Sequence, residues 1–226
     1  MTRARTVAVI AVALTVRASA APAQATAEPG RLEIGFGPQW IGRAAIGSHD
    51  ANETTGTGSP FTLFSTSADI AAVTGIEARV GVRLLRRLEV EGVGSYAAPS
   101  FVIRTSADVE SAPGVTAKER IQQFTVHGAA LWYVPGRLSG ARTAPFVTAG
   151  VGYLRHVHEN DVLLASGKII EAGGGIKQLL LARERRRVKG VGVRADVRAI
   201  ARAKGIALDG GTHVSPAVTA SLFVRF

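Results

Sequence analysis

The chain has 226 residues, no cysteine, 26 glycines and a formal charge of +10 at pH 7. Without cysteine there is no disulfide framework, no thiolate metal site and no cysteine for lipid attachment. The mean hydropathy is +0.19. After the first 25 residues, however, no stretch reaches the ~18 uninterrupted apolar residues of a membrane-spanning helix. The apolar residues are therefore dispersed along the chain, as alternating strands would disperse them.

Residues 1–25 are predicted to be a secretory signal peptide, and residues 26–226 a single β-barrel domain. Arg3 and Arg5 precede an apolar core over 7–16, which is too short to span a membrane, and small residues suited to cleavage follow it. A retained N-terminal anchor is the alternative. Cleavage removes three basic residues, which leaves 24 basic against 17 acidic residues and a charge of +7.

Eight later segments alternate apolar and polar residues with the period of two that β-strands show. In each segment one face is aliphatic or aromatic, and the other carries charged residues and glycines. The last segment covers the ~9–11 residues that a tilted strand needs to cross a bilayer, and it ends on Phe226. The eight segments are 31–41, 75–85, 88–101, 122–134, 144–156, 170–182, 191–202 and 216–226.

The connections between these segments alternate in length. Three are short turns, and the other four are longer on average, polar or glycine-rich, and are predicted to be loops. This layout is typical of an up-and-down transmembrane barrel with both termini on the periplasmic side. The turns are 86–87, 135–143 and 183–190, and the predicted loops are 42–74, 102–121, 157–169 and 203–215.

The predicted fold is thus all-β, an eight-stranded antiparallel up-and-down transmembrane β-barrel. A soluble sandwich or a lipocalin-type barrel also has alternating strands, but with its apolar face inward. Alternation alone does not distinguish the two. The polar face here mixes long charged residues with glycines, which suits a narrow interior where only some positions have room.

The chain resembles the small eight-stranded outer-membrane barrels, the OmpA-like transmembrane domain and its OmpX- and OmpW-like relatives. Their features here are the signal, the Gly-x-Gly strands (35–37, 150–152, 173–175), the segment 192–198 and the aromatic terminus. The resemblance covers nearly all of the chain after the signal. It implies the bacterial outer membrane as the location, and outer-membrane lipids and the barrel-assembly machinery as partners. The C-terminal assembly signal would be Leu222, Val224 and Phe226.

Charged residues on the proposed inward faces balance to zero. An eight-stranded barrel is only wide enough inside to be filled by side chains, so opposite charges are expected to pair there. We therefore expect a plugged lumen rather than an aqueous channel. The six acids are Glu33, Glu77, Glu89, Glu91, Glu171 and Asp196, and the six bases are Arg79, Arg83, Lys177, Arg194, Arg198 and Arg202.

The basic excess lies in the three short turns, which hold nine basic residues and one acid. At the periplasmic rim these charges are expected to contact anionic headgroups, at up to about 1 kcal/mol each. The run 183–187 alone could indicate nucleic-acid binding, but the signal peptide argues against a nucleic-acid partner. Arg225 is assigned to the rim formed by the chain termini.

Five aromatic residues lie toward strand ends, where the aromatic girdles of a membrane barrel are found. Packed core aromatics are the alternative. The predicted girdle residues are Trp40, Tyr96, Trp132, Tyr133 and Tyr153.

Catalytic and metal-binding residues are few. His156 and His158 have strand spacing and precede two acids, so a surface zinc or nickel site is conceivable, although a solvated strand end is the more common explanation. His213 and Ser215 resemble the His-x-Ser of lipid A deacylase barrels, but Pro216 stands where those enzymes carry Asn. No catalytic residue, cofactor or metal is assigned.

The function predicted from the sequence is a non-enzymatic outer-membrane barrel. It would stabilise the envelope, or bind an unidentified ligand through its long loops, especially 42–74 and 102–121. The alternatives are a barrel enzyme that modifies lipid A and a small-solute channel.

Overall fold

A computed structural model of the chain describes residues 31–106, 113–136, 139–140, 142–158, 163–182, 187–203 and 211–226. The predicted signal peptide lies outside these residues. No helix in the described part of the chain is long and apolar enough to cross a membrane.

The described residues form eleven strand segments, and three of them continue a preceding strand after a break of two residues. The breaks fall at 42–43, 71–72 and 98–99. The strands are β1 (Leu32–Ile41), β2 (Ala44–Thr54), β3 (Pro60–Ile70), β4 (Val73–Arg83), β5 (Leu88–Ala97), β6 (Ser100–Ser106), β7 (Val115–Tyr133), β8 (Thr143–His158), β9 (Leu163–Ala182), β10 (Gly190–Ala203) and β11 (Thr212–Arg225).

Eight of these strands close into a barrel in which every neighbouring pair is antiparallel. The order around the ring is β1, β4, β5, β7, β8, β9, β10, β11 and back to β1. The seam between β1 and β11 runs from Glu33 opposite Arg225 to Ile41 opposite Ala217. The predicted eight-stranded antiparallel barrel is confirmed. We call the end that carries both termini and the short turns the turn end, and the opposite end the loop end.

The orientation of the side chains is that of a membrane barrel. Val197 and Leu222 are 58% and 62% exposed, whereas Arg198 on the same strand as Val197 is 3% exposed. A water-soluble barrel would show the reverse, because its apolar face would form the core. The apolar side chains form the outer surface and the ionised side chains fill the interior.

The prediction of long loops over 42–74 and 102–121 is wrong for much of their length. Strands continue there beyond the end of the barrel. At the loop end β2 pairs with β3, β3 with β6, and β6 with the first part of β7. We call these four strands the extension. It has an apolar core of its own, formed by Ala44, Ile46, Ala68, Ile70 and Ile121. Strands outside a bilayer need no apolar outer face, so a search for lipid-facing residues missed them.

Three consecutive leucines at 179–181 interrupt the alternation near the end of segment 170–182, and the interruption has a structural cause. Opposite β10, Val191 pairs with Leu181 but Gly192 pairs with Leu179, so Leu180 is an extra residue. Such a β-bulge shifts the register by one and inverts the parity of the residues beyond it.

Gly173 marks a place where β9 approaches β10 very closely. A Cβ built there would lie 2.2 Å from the Val197 carbonyl oxygen and 2.8 Å from the Arg198 Cα. These are backbone atoms, so relief requires the two strands to separate. We expect Gly173→Ala to lower the free energy of unfolding by about 1–3 kcal/mol, the usual cost of overpacking. Urea unfolding in lipid vesicles measures it.

Gly92→Ala is the matched control, because Gly92 is also a barrel-strand glycine and a Cβ there would meet nothing within 4 Å. It should be neutral or slightly stabilising, since alanine reduces the freedom of the unfolded chain. Equal effects of the two substitutions would contradict the close approach at Gly173.

Candidate functional site

The charged interior is the candidate site, and its turn-end half is organised around Lys177 on β9. The Lys177 Nζ lies 2.5 Å from Glu33, 2.8 Å from Glu89 and 3.2 Å from Glu91. The three carboxylates come from β1 and β5, and one oxygen of each lies within 4.8 Å of the others, a spacing that could hold a metal ion. Here the lysine ammonium occupies the place of the cation.

Three aromatic rings surround Lys177 on the interior. Its Nζ lies 5.7 Å from the ring centroid of Tyr133, 6.0 Å from Phe146 and 5.8 Å from Phe223. Arg194 lies over the Phe146 ring at 4.5 Å. These cation–π contacts supplement the ion pairs in a water-poor setting.

Tyr133 was wrongly predicted to be a girdle residue. It is 8% exposed, and its hydroxyl donates a hydrogen bond to Glu89 inside the barrel. The reason is strand parity: Trp132 faces outward, so its neighbour faces inward. Phe146 and Phe223 follow the same rule beside Val147 and Leu222, and parity would have identified them.

The other half of the network is organised around Arg198 on β10. Its guanidinium donates to Glu77, to Glu171 (3.1 Å) and to the Thr219 hydroxyl (2.6 Å). Its Nε also lies 2.9 Å from Asp196. One arginine therefore neutralises carboxylates from three strands, β4, β9 and β10.

Arg194 and Arg79 join the two halves. The Arg194 guanidinium contacts Glu91 at 2.6 Å and Asp196 at 2.8 Å, and so links β5 to β10. Arg79 pairs with Glu77 and lies 3.3 Å from Asp196. The result is one continuous network of ion pairs through the lumen.

Arg225 belongs to this network, although the sequence placed it at the terminal rim. Its Nε donates to Glu33 at 2.8 Å, inside the seam between β1 and β11. Leu222 and Val224 face outward, so alternation places Arg225 on the inward face. It was assigned to the rim because it lies next to the C-terminal residue. Arg83 lies nearest the mouth and is half-buried, 3.6 Å from Glu89.

Arg202 differs from the other predicted lumen bases. It is 7% exposed, yet among the described residues no carboxylate pairs with it, and its Nε and Nη1 have no hydrogen-bond partner. The six acids are thus matched by six bases that include Arg225, with Arg202 outside the network. The expectation that Arg202 forms an ion pair is not met in the described part of the chain.

Two further polar residues extend the network. Gln39 donates to Glu77 at 3.0 Å, and His127 Nε2 lies 3.0 Å from Glu171. The count of inward-facing acids and bases in the sequence did not include glutamine or histidine, so it missed both residues.

Buried side chains lie at several levels of the interior. Leu131 and Phe223 lie at the turn end, the charged network follows, and Leu154, Ile169 and Ile200 form an apolar layer toward the loop end; all are buried. Buried residues at each of these levels leave little room for a continuous column of water. Chemically, the ion pairs join six of the eight barrel strands to one another: β1, β4, β5, β9, β10 and β11.

The remaining girdle candidates lie on the outer surface. Trp40, Tyr96 and Tyr153 are exposed toward the loop end, and Trp132 is exposed near the turn end. The Tyr96 ring also contacts Phe124 at a centroid distance of 5.1 Å. Aromatic residues near both ends of an apolar outer surface fit the interfacial girdles of a membrane barrel.

Five of the basic turn residues fall in the described part of the chain, and all are exposed at the turn end. Contact of these residues with anionic lipid stays a prediction, which refolding rates in anionic and zwitterionic vesicles would test. The residues are Arg86, Arg87, Arg142, Arg187 and Lys189.

The histidine alternatives gain no support. The side chain of His158 and the two acids after it lie outside the described residues, and His156 is buried, with its Nε2 3.3 Å from the Gln123 Oε1. Ser215 has 0% exposure, and its hydroxyl has no hydrogen-bond partner among the described residues. The Ser215 hydroxyl therefore makes no hydrogen bond to His213 in this structure.

Comparison with known proteins supports the fold. The outer membrane protein OprG from Pseudomonas aeruginosa matches with a TM-score of 0.55 at 14% identity, covering 87% of this chain and 95% of that one. This protein has the fold of a small outer-membrane β-barrel. Neisserial surface protein A (NspA) matches the barrel with a TM-score of 0.52 at 11% identity, over 86% of this chain and 97% of that one. No family model matches the chain, and no curated protein does.

Proposed function

We propose that this barrel resides in the bacterial outer membrane as a closed, non-conducting protein whose specific role is carried by its extension. The observation that carries the proposal is the continuous buried ion-pair network, in which six acids meet six bases. Moving an ion past it requires separation of buried pairs, and each unpaired buried charge costs several kcal/mol. The residues of the lumen then stabilise the fold, and any ligand binds to surfaces outside the membrane.

Planar-bilayer recording tests the closed lumen. We expect the wild-type barrel to show no resolved conductance steps, while a general porin inserted in the same bilayers shows them. Insertion is checked independently by the difference in gel mobility between boiled and unboiled protein. Reproducible steps from inserted wild-type barrel would favour the small-solute channel instead.

The extension has the features of a rigid recognition surface. Asp69 on β3 is buried and accepts hydrogen bonds from Arg43 (2.7 Å) and from Arg104 on β6, so charged contacts tie its base together. Two large apolar side chains, Phe64 and Val115, remain exposed on it. A partner that covered Phe64 and Val115 would remove their apolar surface from water. Its ligand is unknown.

Shortening the β2–β3 hairpin tests whether the extension has a binding role or the protein has a purely structural one. Replacing residues 48–67 by Asn-Gly keeps the pairing of Gly47 with Ala68 and supplies a two-residue hairpin turn. We expect this variant to fold and insert like wild type but not to restore the function that cells lose with the protein. Full restoration of envelope integrity by the shortened barrel would instead support a purely structural role.

Phe226 is proposed to act mainly in assembly. Its backbone N–H donates to the Leu32 carbonyl at 2.9 Å, one bond at the end of a long seam. Deletion of Phe226 should therefore leave refolding in detergent nearly unchanged but strongly reduce the amount of protein in the outer-membrane fraction of cells. Leu84→Ala, which trims another exposed apolar residue at the turn end, serves as the control. Normal cellular levels after the deletion would refute the role in assembly.

A further inference from the structure

A small cavity lies between the loop-end side of the ion-pair network and Arg202. The volume open to the centre of a water molecule is about 10 Å³, which is room for about one small occupant. The cavity walls come from six strands: β1, β5, β7, β8, β9 and β10. Among its lining residues are Gln39, Gln123, Thr125, His127 and Arg202.

Charge balance indicates what the cavity would hold. The described barrel interior contains six acids, all paired within the network, and seven bases, of which Arg202 alone has no carboxylate partner among the described residues. A buried cation without a counter-charge costs several kcal/mol. The Nε and Nη1 of Arg202 carry hydrogens that have no acceptor among the described residues. The missing partner is therefore an acceptor with negative charge.

Neighbouring groups favour an anion over a cation or water alone. Glu171 is the acid on the cavity wall, and it is already neutralised by Arg198 at 3.1 Å, with His127 Nε2 at 3.0 Å. Gln123 directs its Oε1 to His156, which leaves its amide hydrogens for another acceptor. The wall thus combines a free guanidinium with amide and hydroxyl donors.

We propose that this cavity is a buried halide site, with chloride bound by Arg202 as the counter-ion that the described residues do not supply. The size of the cavity excludes sulfate, phosphate and organic anions, and favours a monatomic ion only slightly larger than water. The apolar layer of Leu154, Ile169 and Ile200 lies against the same cavity and lowers the local dielectric. An ion pair is stronger there than at the surface.

Halide-dependent stability of the refolded barrel tests the site. The apparent Tm would be measured in sodium gluconate with increasing sodium bromide at constant ionic strength. We expect the wild-type Tm to rise and saturate, by on the order of 5 °C once bromide exceeds its Kd about 100-fold. Bromide also scatters X-rays anomalously. In crystals grown with bromide, an anomalous peak should lie within hydrogen-bond distance of Arg202.

Arg202→Gln is the informative variant. Without halide it should be at least as stable as wild type, because an uncompensated buried charge has been removed, and its Tm should not respond specifically to bromide. Arg155→Gln is the control, since Arg155 is exposed on β8 beside His156, and it should respond like wild type. General salt effects act on all three proteins alike. A bromide response that persists in Arg202→Gln, or no response in wild type, would overturn the proposal.

Discussion

Replacing Lys177 by methionine is expected to destabilise the barrel by about 3–5 kcal/mol, the cost of removing one partner from a buried ion pair. The substitution keeps an unbranched apolar stem but removes the ammonium group shared by Glu33, Glu89 and Glu91. These carboxylates then repel one another within a buried space. The measurement is the free energy of unfolding in urea, with the barrel in lipid vesicles.

Lys168→Met is the matched control, because Lys168 lies on the same strand with its side chain exposed. It should change the unfolding free energy by less than about 1 kcal/mol, as is usual for surface charges. If Lys177→Met were as mild as Lys168→Met, the network would not stabilise the fold, and the lumen would be better described as hydrated.

A second-site change makes the test specific to charge. After loss of Lys177, Glu33 keeps Arg225 and Glu91 keeps Arg194, whereas Glu89 keeps only the 3.6 Å contact with Arg83 among described bases. Glu89→Gln should therefore recover part of the stability lost in Lys177→Met, although in wild type the same change is destabilising. Simple additivity of the two losses would point to packing rather than charge as the cause.

The barrel could be predicted from the sequence because a period of two fixes which side chains share a face. The alternation in 191–202, for example, divides Val193 and Val197 from Arg194 and Arg198. The mixture of charged residues and glycines on the polar faces then favoured placing the charged set inside a narrow barrel. The same parity would have placed Tyr133 and Arg225 inside. Both were instead assigned by residue type or by position in the chain.

The pairing inside the lumen could not be predicted from the sequence. Lys177 and Glu33 are 144 residues apart, and their contact depends on the relative register of strands around the ring. The sequence of one strand shows which residues share a face. It does not show the register in which that strand pairs with its neighbour. The extension was missed for a related reason: beyond the membrane both faces of a strand contact water or a small local core, and the lipid-facing pattern ends.

Introducing arginine at Val197 is expected to destabilise the barrel by about 2–4 kcal/mol in a bilayer, the cost of a guanidinium on the lipid face near the midplane. Val197 lies in the middle of β10 with its side chain exposed, and its neighbours across the strands are Val218 and Gly174. The bilayer is essential to the measurement, because a detergent micelle deforms more easily around a charge.

Leu85→Arg is the depth control. Leu85 is as exposed as Val197 but lies in the turn beside Arg86, where interfacial water lowers the cost to about 0–1 kcal/mol. The difference between the two variants therefore reports depth in lipid, since both replace an exposed apolar residue by the same charged one. A water-soluble barrel would tolerate both substitutions equally. Equal and small effects would thus contradict the membrane-facing orientation on which the paired, closed lumen depends.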